Sequence, residues 1–429
     1  MNRGFNVFGI ILFLSAIVGA ADTTREERLK RFPPIEPAQQ MVEQLLLPQG
    51  GLKNADVIDV MKRIPRHRFV PPVHQSAAYL DQALSIGHAQ TISPPYIVAY
   101  MTEQVAPKPT DKILEIGTGS GYQAAVLSLL ANQVYTIEIV EPLGKQAESL
   151  LKQLGMDNVH VRISDGYKGW AEAAPFDSII VTCSPEAVPQ PLTDQLKEGG
   201  RMMIPVGERY QQSFYLCKKV NGKLEQERLM QTLFVPMTGE AEEKRLVQPD
   251  AAKPAIVNGN FQEIHKDSTP THWHYARNVA ILKGEKNEPN IARFVRKRPD
   301  RTSTMQDLGF AQMLQGFAID GRSVPVLRID YWIRGERVTA LQGPVMTPSA
   351  TLVFYDENRN LIDEVPLGRC TGTFSWRQIS NGIRIKPETR EAVLFLGLLV
   401  SSGQLDIRDV EVKPEPTTLD SRNGTHASP

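Results

Sequence analysis

Ile113-Leu-Glu115-Ile-Gly117-Thr118-Gly119-Ser-Gly121-Tyr-Gln-Ala-Ala decides the fold of the first half of this chain. An apolar run ending in an acid enters a glycine-rich turn, and the turn opens a helix. Such a turn lets a ligand reach backbone amides with no side chain in the way. Outward from it, short apolar runs alternate with helical periods between 112 and 237. Strands are predicted at 113–116, 134–139, 159–163, 179–182 and 201–204, and a helix at 142–155 carries Leu143, Ala147, Leu150, Leu151 and Leu154 on one face. Residues 213–220 run into Asn221-Gly222 and Lys223, a hairpin with a tight primed turn. The pattern is that of an α/β, Rossmann-like sheet wrapped by helices.

The same stretch sets the ligand chemistry. Glu138 ends the next strand, where a carboxylate can accept both hydroxyls of a ribose, and Asp165-Gly166 follows the third strand, placed for the edge of a nucleobase. Dinucleotides favour G-x-G-x-x-G with the pyrophosphate at the helix start, whereas the glycines here read G-x-G-x-G. Glu115 would oppose a pyrophosphate and attract the sulfonium and ammonium of S-adenosyl-L-methionine. The cofactor site is therefore expected at Glu115, Gly117, Thr118, Gly119, Gly121, Glu138, Asp165 and Gly166. The bland alternatives are a loop contact for Glu115 and a solvated strand end for Glu138.

At 429 residues the chain exceeds the usual size of one core, so two domains are expected. Lys plus Arg and Asp plus Glu are 48 each, and with no net field nucleic acid is not an expected partner. Three cysteines make neither a disulfide framework nor a zinc cage. His272 and His274 read as a surface pair without a third ligand, so no metal is expected. Residues 1–21 carry a basic start, an apolar run and a small-residue end, the pattern of a signal peptide, with an uncleaved membrane anchor as the alternative. Residues 31–240 form the first domain, 241–254 a polar, proline-bearing linker, 255–413 a second domain, and 414–429 a disordered tail. Within 255–413 the helical period gives way to period-two runs, which implies an all-β jelly-roll sandwich.

From about Val57 to Gly239 the sequence resembles the protein-L-isoaspartate (D-aspartate) O-methyltransferases. The likeness rests on Arg63-Ile-Pro-Arg66-His-Arg-Phe69-Val-Pro, Ala78-Tyr79-Leu-Asp81, Ile86-Gly87-His-Ala-Gln90-Thr91-Ile92-Ser93-Pro-Pro-Tyr96, the glycine turn, Ala174-Pro-Phe-Asp177-Ser-Ile-Ile-Val-Thr182, Gly199-Gly-Arg-Met-Met-Ile-Pro-Val-Gly207 and Phe234-Val-Pro. The resemblance implies S-adenosyl-L-methionine as donor and isoaspartyl peptides and proteins as partners. It puts Ser93 at the active-site position, Thr91 and Ile92 in the substrate pocket, and Asp81 in a substrate-side segment. For Ser93 and Asp81, helix capping is the structural alternative. Departures are Ala89 where the family has Gly, Pro94 where Gln is common, and Cys183 for Ala. The second domain resembles carbohydrate-binding and galactose-binding-like jelly rolls, so a glycan is a possible ligand there if Trp273, Tyr331, Trp332 or Trp376 is exposed. The donor and the family point to the cytoplasm, and residues 1–21 to export or tethering.

Overall fold

The computed structural model describes residues 24–265, 268–284, 288–298, 310–339, 348–357, 359–368, 370–399 and 401–415. The signal-like segment 1–21 and the tail from 416 lie outside the described residues. Three short helices lead in: α1 (Arg25–Arg31), closed by a Thr24–Glu27 capping box, α2 (Glu36–Met41), which passes into a π-turn at Val42–Leu46, and α3 (Ala55–Met61). Asn54 caps α3 by accepting from the Asp56 and Val57 amides. Met41, Leu46, Val57, Val60 and Met61 bury the inner faces of these helices in the first domain's core.

A hairpin of β1 (Leu84–Gly87) and β2 (Gln90–Ile92) follows, then α4 (Pro95–Val105). The hairpin turns through His88 and Ala89, both at positive φ (51° and 58°). The family's glycine would be relaxed there, whereas alanine carries left-handed strain. Ala89→Gly should therefore stabilise the chain by about 0.5 kcal/mol, the strain relieved less the added unfolded-state entropy. An unchanged or lowered urea midpoint would contradict this.

The central sheet contains β3 (Lys112–Ile116), β4 (Gln133–Glu138), β5 (Val159–Ile163), β6 (Phe176–Val181), β7 (Leu196–Glu208), β8 (Gln211–Val220) and β9 (Lys223–Thr232). Their order is β5-β4-β3-β6-β7-β8-β9; the first five run parallel, and β8 and β9 close the sheet as an antiparallel hairpin. Helices α5 (Tyr122–Ser128), α6 (Glu141–Gln153) and α7 (Gln190–Gln195) connect the parallel strands. The buried runs of β3 and β6 are apolar almost throughout because both faces of a parallel sheet are covered. The order reverses at β3 and β6, which opens a crevice at their carboxyl ends.

The second domain holds β10 (His274–Arg277), β11 (Val279–Leu282), β12 (Ile291–Arg296), β13 (Ala311–Ala318), β14 (Val326–Thr339), β15 (Ser349–Tyr355), β16 (Leu361–Pro366), β17 (Gly372–Arg384), β18 (Glu391–Leu399) and β19 (Ser402–Pro414). Two antiparallel sheets, β10-β13-β18-β15-β16 and β11-β12-β19-β14-β17, face each other. Phe294, Ile329, Tyr331 and Ile407 from one sheet and Met313, Leu352, Leu394 and Leu396 from the other share one core. The last eight strands interleave as β12-β19-β14-β17 over β13-β18-β15-β16, the double Greek key of a jelly roll. Trp273 and Tyr331 are core residues and offer no face to a sugar; Trp376 is half-buried, with the guanidinium groups of Arg334 and Arg408 at 4.8 and 4.7 Å from its ring.

Two segments are tied into the fold more firmly than their composition suggests. The polar stretch 241–254 runs out of a helical turn, α8 (Glu240–Glu243), and the buried Arg245 donates to the carbonyls of Gly207 and Ser184. Its charge is matched by Glu242 and by the carbonyls of Gly207 and Ser184, which a composition count cannot register. His272 and His274 are not a surface pair. They sit where the domains meet, His272 Nδ1 at 2.6 Å from Gln211 Oε1 and the buried His274 Nε2 at 3.0 Å from the Tyr210 carbonyl. Burial pushes the His274 imidazole down to about 4, so it is neutral and donates to that carbonyl. Among the described residues, no helix is long and apolar enough to cross a membrane and no cluster of ligating side chains could hold a metal.

Candidate active site

The crevice between β3 and β6 is shaped by the glycine turn. Gly117 (φ 94°) follows β3, and a side chain there would strike the hydroxyl of Thr182, which donates to the Ile116 and Gly117 carbonyls at 2.9 and 2.7 Å. Gly119 (φ 54°) turns its amide toward Glu138 Oε2 at 2.7 Å, and Gly121 (φ 89°) starts α5. Glu138 Oε1 accepts from the Val140 amide at 2.9 Å. An ionised carboxylate has about four acceptor positions, so both oxygens keep capacity for a further donor.

Glu138, Gly117, Gly119, Gly166, Thr182, Cys183, Gln90 and Thr91 line a cleft of about 540 Å³, roofed by Val235 to Thr238. That roof is tied down by Ser184, whose amide donates to the Val235 carbonyl and whose carbonyl accepts from the Met237 amide. Asp165 stands beside the cleft with both oxygens engaged by backbone, Oδ1 by the Tyr167 amide and Oδ2 by the Glu240 amide, each at 2.9 Å. It shapes the Gly166 turn. Burial and the nearby carboxylates of Glu138, Asp165 and Glu115 push the Cys183 thiol far up, so it stays protonated.

A second recess of about 400 Å³ shares Thr91, Gly117, Gly119 and Thr182 with the first and reaches Ile92, Ser93, Glu115, Thr118, Ser120, Tyr122 and Gln123. Glu115 is fully buried at its wall. Thr136 donates to Glu115 Oε2 at 2.6 Å, and Thr118 donates in turn to Thr136 at 2.6 Å. Burial, and then the charge of Glu138, push the Glu115 carboxyl up to about 8. Glu115 Oε1, Ser120 Oγ, Tyr122 OH and Gln123 Oε1, all buried, lack partners around this one recess. Buried polar atoms are nearly always paired, so the cluster marks a place for a polar ligand. The lining of both recesses holds no Lys or Arg and two carboxylates. A cation with a ribose suits it; a pyrophosphate does not.

Ser93 is half-buried in the loop before α4 and does not cap that helix, whose first turn opens with Pro94 and Pro95. Its carbonyl is held by Arg66 Nη2 at 2.7 Å. Arg66 is fully buried, donates also to the Ala78 carbonyl at 2.9 Å, and lies over the Tyr122 ring at 4.7 Å. One guanidinium thus joins the Ser93 loop to the helix that follows the glycine turn. Thr91 is exposed and Ile92 buried at the recess wall. Asp81 lies elsewhere. Its oxygens accept from the Tyr96 amide and the Gln49 side chain, both at 2.8 Å, and it lines an opening between the domains rather than either recess.

Residues 36–242 match the family described as Protein-L-isoaspartate(D-aspartate) O-methyltransferase (PCMT). The protein-L-isoaspartate O-methyltransferase of Opitutus terrae is 50% identical over 231 residues, 54% of this chain and 97% of that protein. The chain belongs to the protein-L-isoaspartate (D-aspartate) O-methyltransferase family. Protein-L-isoaspartate O-methyltransferase 1 of Nitrosospira multiformis is 49% identical over 243 residues, 56% of this chain and 99% of its own length. A solved protein-L-isoaspartate O-methyltransferase aligns over 48% of this chain and 67% of that one with 29% identity and a TM-score of 0.44. A Plasmodium falciparum crystal structure in complex with S-adenosyl-L-homocysteine aligns over 48% and 99%, with 26% identity and a TM-score of 0.43.

Within this family fold, the sequence pointed to the acids and glycines but passed over Arg66, Thr136 and Thr182. Arg66 and Thr182 lie inside quoted family blocks. A buried arginine is recognisable only once the carbonyls it serves are known, and Thr182 only once β3 and β6 are neighbours. Thr136 alternates inward on β4 and carries no local signal at all.

Proposed function

We propose that this chain transfers a methyl group from S-adenosyl-L-methionine to the free α-carboxylate of L-isoaspartyl and D-aspartyl residues in damaged peptides and proteins, the first step of repair through a succinimide. The observation that carries it is the pair of joined recesses, acid-lined and free of basic residues, beside the Gln90-Thr91-Ile92-Ser93 loop in a member of this family. When bound, the donor supplies an electrophilic methyl on a positively charged sulfur. Glu138 is suited to accept the ribose hydroxyls, Gly117 and Gly119 give backbone access, and Glu115 sets a carboxyl against the positive charge.

The acceptor needs little activation. A main-chain-derived carboxyl has an unperturbed pKa of roughly 3.3 to 3.7 and is an anion at neutral pH. Its oxygen forms the new C–O bond as the C–S bond breaks with its electron pair passing to sulfur, and opposite charges cancel. Orientation and exclusion of water are then the protein's contribution. Ser93 donates to one carboxylate oxygen and aims the other at the methyl, while Thr91 and Ile92 shape the pocket.

Incubation with labelled S-adenosyl-L-methionine and an isoaspartyl peptide, beside its normal aspartyl twin, tests the activity; label on both peptides or neither counts against it. Ser93→Ala should lower kcat on the isoaspartyl peptide about tenfold, the scale of one hydrogen bond to a charged group. Full kcat in that variant would remove Ser93 from the chemistry. The cytoplasm, where the donor is made, is the compartment this activity requires. Fractionation with an antibody to the second domain decides between that and export through residues 1–21.

A further inference from the structure

Arg277, on β10 of the jelly roll, reaches across to the catalytic domain and pairs with Asp81, Nη1 to Oδ2 at 2.7 Å, while also donating to the Asp81 carbonyl. Asp81 is almost completely buried, and its other oxygen holds the Tyr96 amide in the first turn of α4. Only Pro94 and Pro95 separate Ser93 from Tyr96, and proline rings leave the link little torsional freedom. A displacement of the start of α4 therefore carries Ser93 with it.

The relatives sharpen the point. The Opitutus terrae protein is covered to 97% by 231 aligned residues, so it has no length left for a second domain of this size. Here the domains are joined along β10 and the segment before it: the Tyr275 hydroxyl donates to the Leu233 carbonyl at 2.7 Å, and His274 and His272 bond to Tyr210 and Gln211. From the start of the sheet's central strand, Glu391 of β18 meets Arg209 and the Tyr210 hydroxyl.

We propose that Arg277 is a positioning residue for the Ser93 loop: by pairing with Asp81 across the domain junction it fixes the start of α4, which makes the jelly roll part of the catalytic unit. The proposal rests on the methyltransferase activity above. It places the effect on the peptide side, because Glu138 and the glycine turn do not touch this junction. Removing one member of a buried pair leaves the other uncompensated, and Asp81 would then move toward the water of the adjoining opening and release Tyr96.

The test compares full-length wild type with Arg277→Gln and Arg277→Lys, measuring kcat and KM for an isoaspartyl peptide and the Kd for S-adenosyl-L-homocysteine. Arg277→Gln should lower kcat/KM for the peptide about tenfold, as displaced catalytic groups do, while the Kd stays within twofold. Arg277→Lys, which keeps the charge, should recover most of the loss. Peptide kcat/KM unchanged within twofold in Arg277→Gln, or a Kd that weakens in step with it, overturns the proposal. If that variant does not fold, Asp81→Asn combined with Arg277→Gln, which removes both charges of the pair, must still show the peptide-specific loss; wild-type kcat/KM in the double variant overturns it equally. A wild-type chain that binds S-adenosyl-L-homocysteine but methylates no isoaspartyl peptide would instead remove the activity itself.

Discussion

A Glu138→Ala chain should bind S-adenosyl-L-homocysteine about a hundredfold more weakly than wild type while remaining folded. Glu138 sits at the carboxyl end of β4 with each oxygen anchored by one amide, Gly119 on one side and Val140 on the other. Those anchors fix the carboxylate beside the cleft and leave acceptor positions for two ribose hydroxyls. Hydrogen bonds to charged groups contribute about 1.5–3 kcal/mol each, so losing two, partly offset by water, costs affinity on the hundredfold scale. Burial raises the Glu138 carboxyl, and the backbone amides oppose that rise. Removing the side chain also frees the Gly119 amide, which loosens the turn that the ligand must approach. Glu138→Gln keeps one acceptor and should fall between the two. Calorimetric titration gives the affinities and thermal melting checks the fold. A Glu138→Ala Kd within threefold of wild type would move the ribose out of this cleft.

The catalytic half was legible because its decisive signals are local. A strand, a glycine turn and a helix follow one another within seventeen residues, and β3, β4 and β6 are runs of strand length whose crossovers the right-handed rule then orients. Period-two runs likewise announced strands in the second domain. They did not announce which strands pair, because alternation places a side chain on a face without naming its partner strand. The interleaving of β12 to β19 was thus expected only as a class. Contacts between distant segments were beyond reach altogether. Asp81 looked like a substrate residue or a cap, and its carboxylate does hold a helix amide, but the charge that balances it lies 196 residues away on β10. His272 and His274 looked exposed because nothing nearby in sequence covers them; in space β8 and β9 meet His272 and the turn between β7 and β8 meets His274.

Glu115 should make donor binding depend on pH in a direction that its burial dictates. Exposed, this carboxyl titrates near 4.5; in the folded chain it is held at about 8 by burial and by the charge of Glu138. The donor-free fold therefore keeps a proton that the unfolded chain gives up. Its contribution to stability is complete below about 4.5 and is lost progressively as pH rises toward 8. A cationic ligand reverses the preference, since an ionised Glu115 faces a positive charge in place of an empty low-dielectric recess. S-adenosyl-L-methionine affinity should then rise with pH, approaching tenfold per unit below about 8, with release of close to one proton per molecule bound at pH 7. S-adenosyl-L-homocysteine, whose sulfur is neutral, should release fewer. Glu115→Gln cannot ionise. It should flatten the affinity profile, abolish the proton release and weaken the donor about a hundredfold at pH 8, while the donor-free variant melts more evenly between pH 5 and 8 than wild type. Calorimetry in two buffers of different ionisation enthalpy counts the protons directly. A wild-type chain that binds the donor equally from pH 6 to 8 without releasing a proton would leave Glu115 as a wall residue and assign the sulfonium to the aromatic and backbone surface of the recess instead.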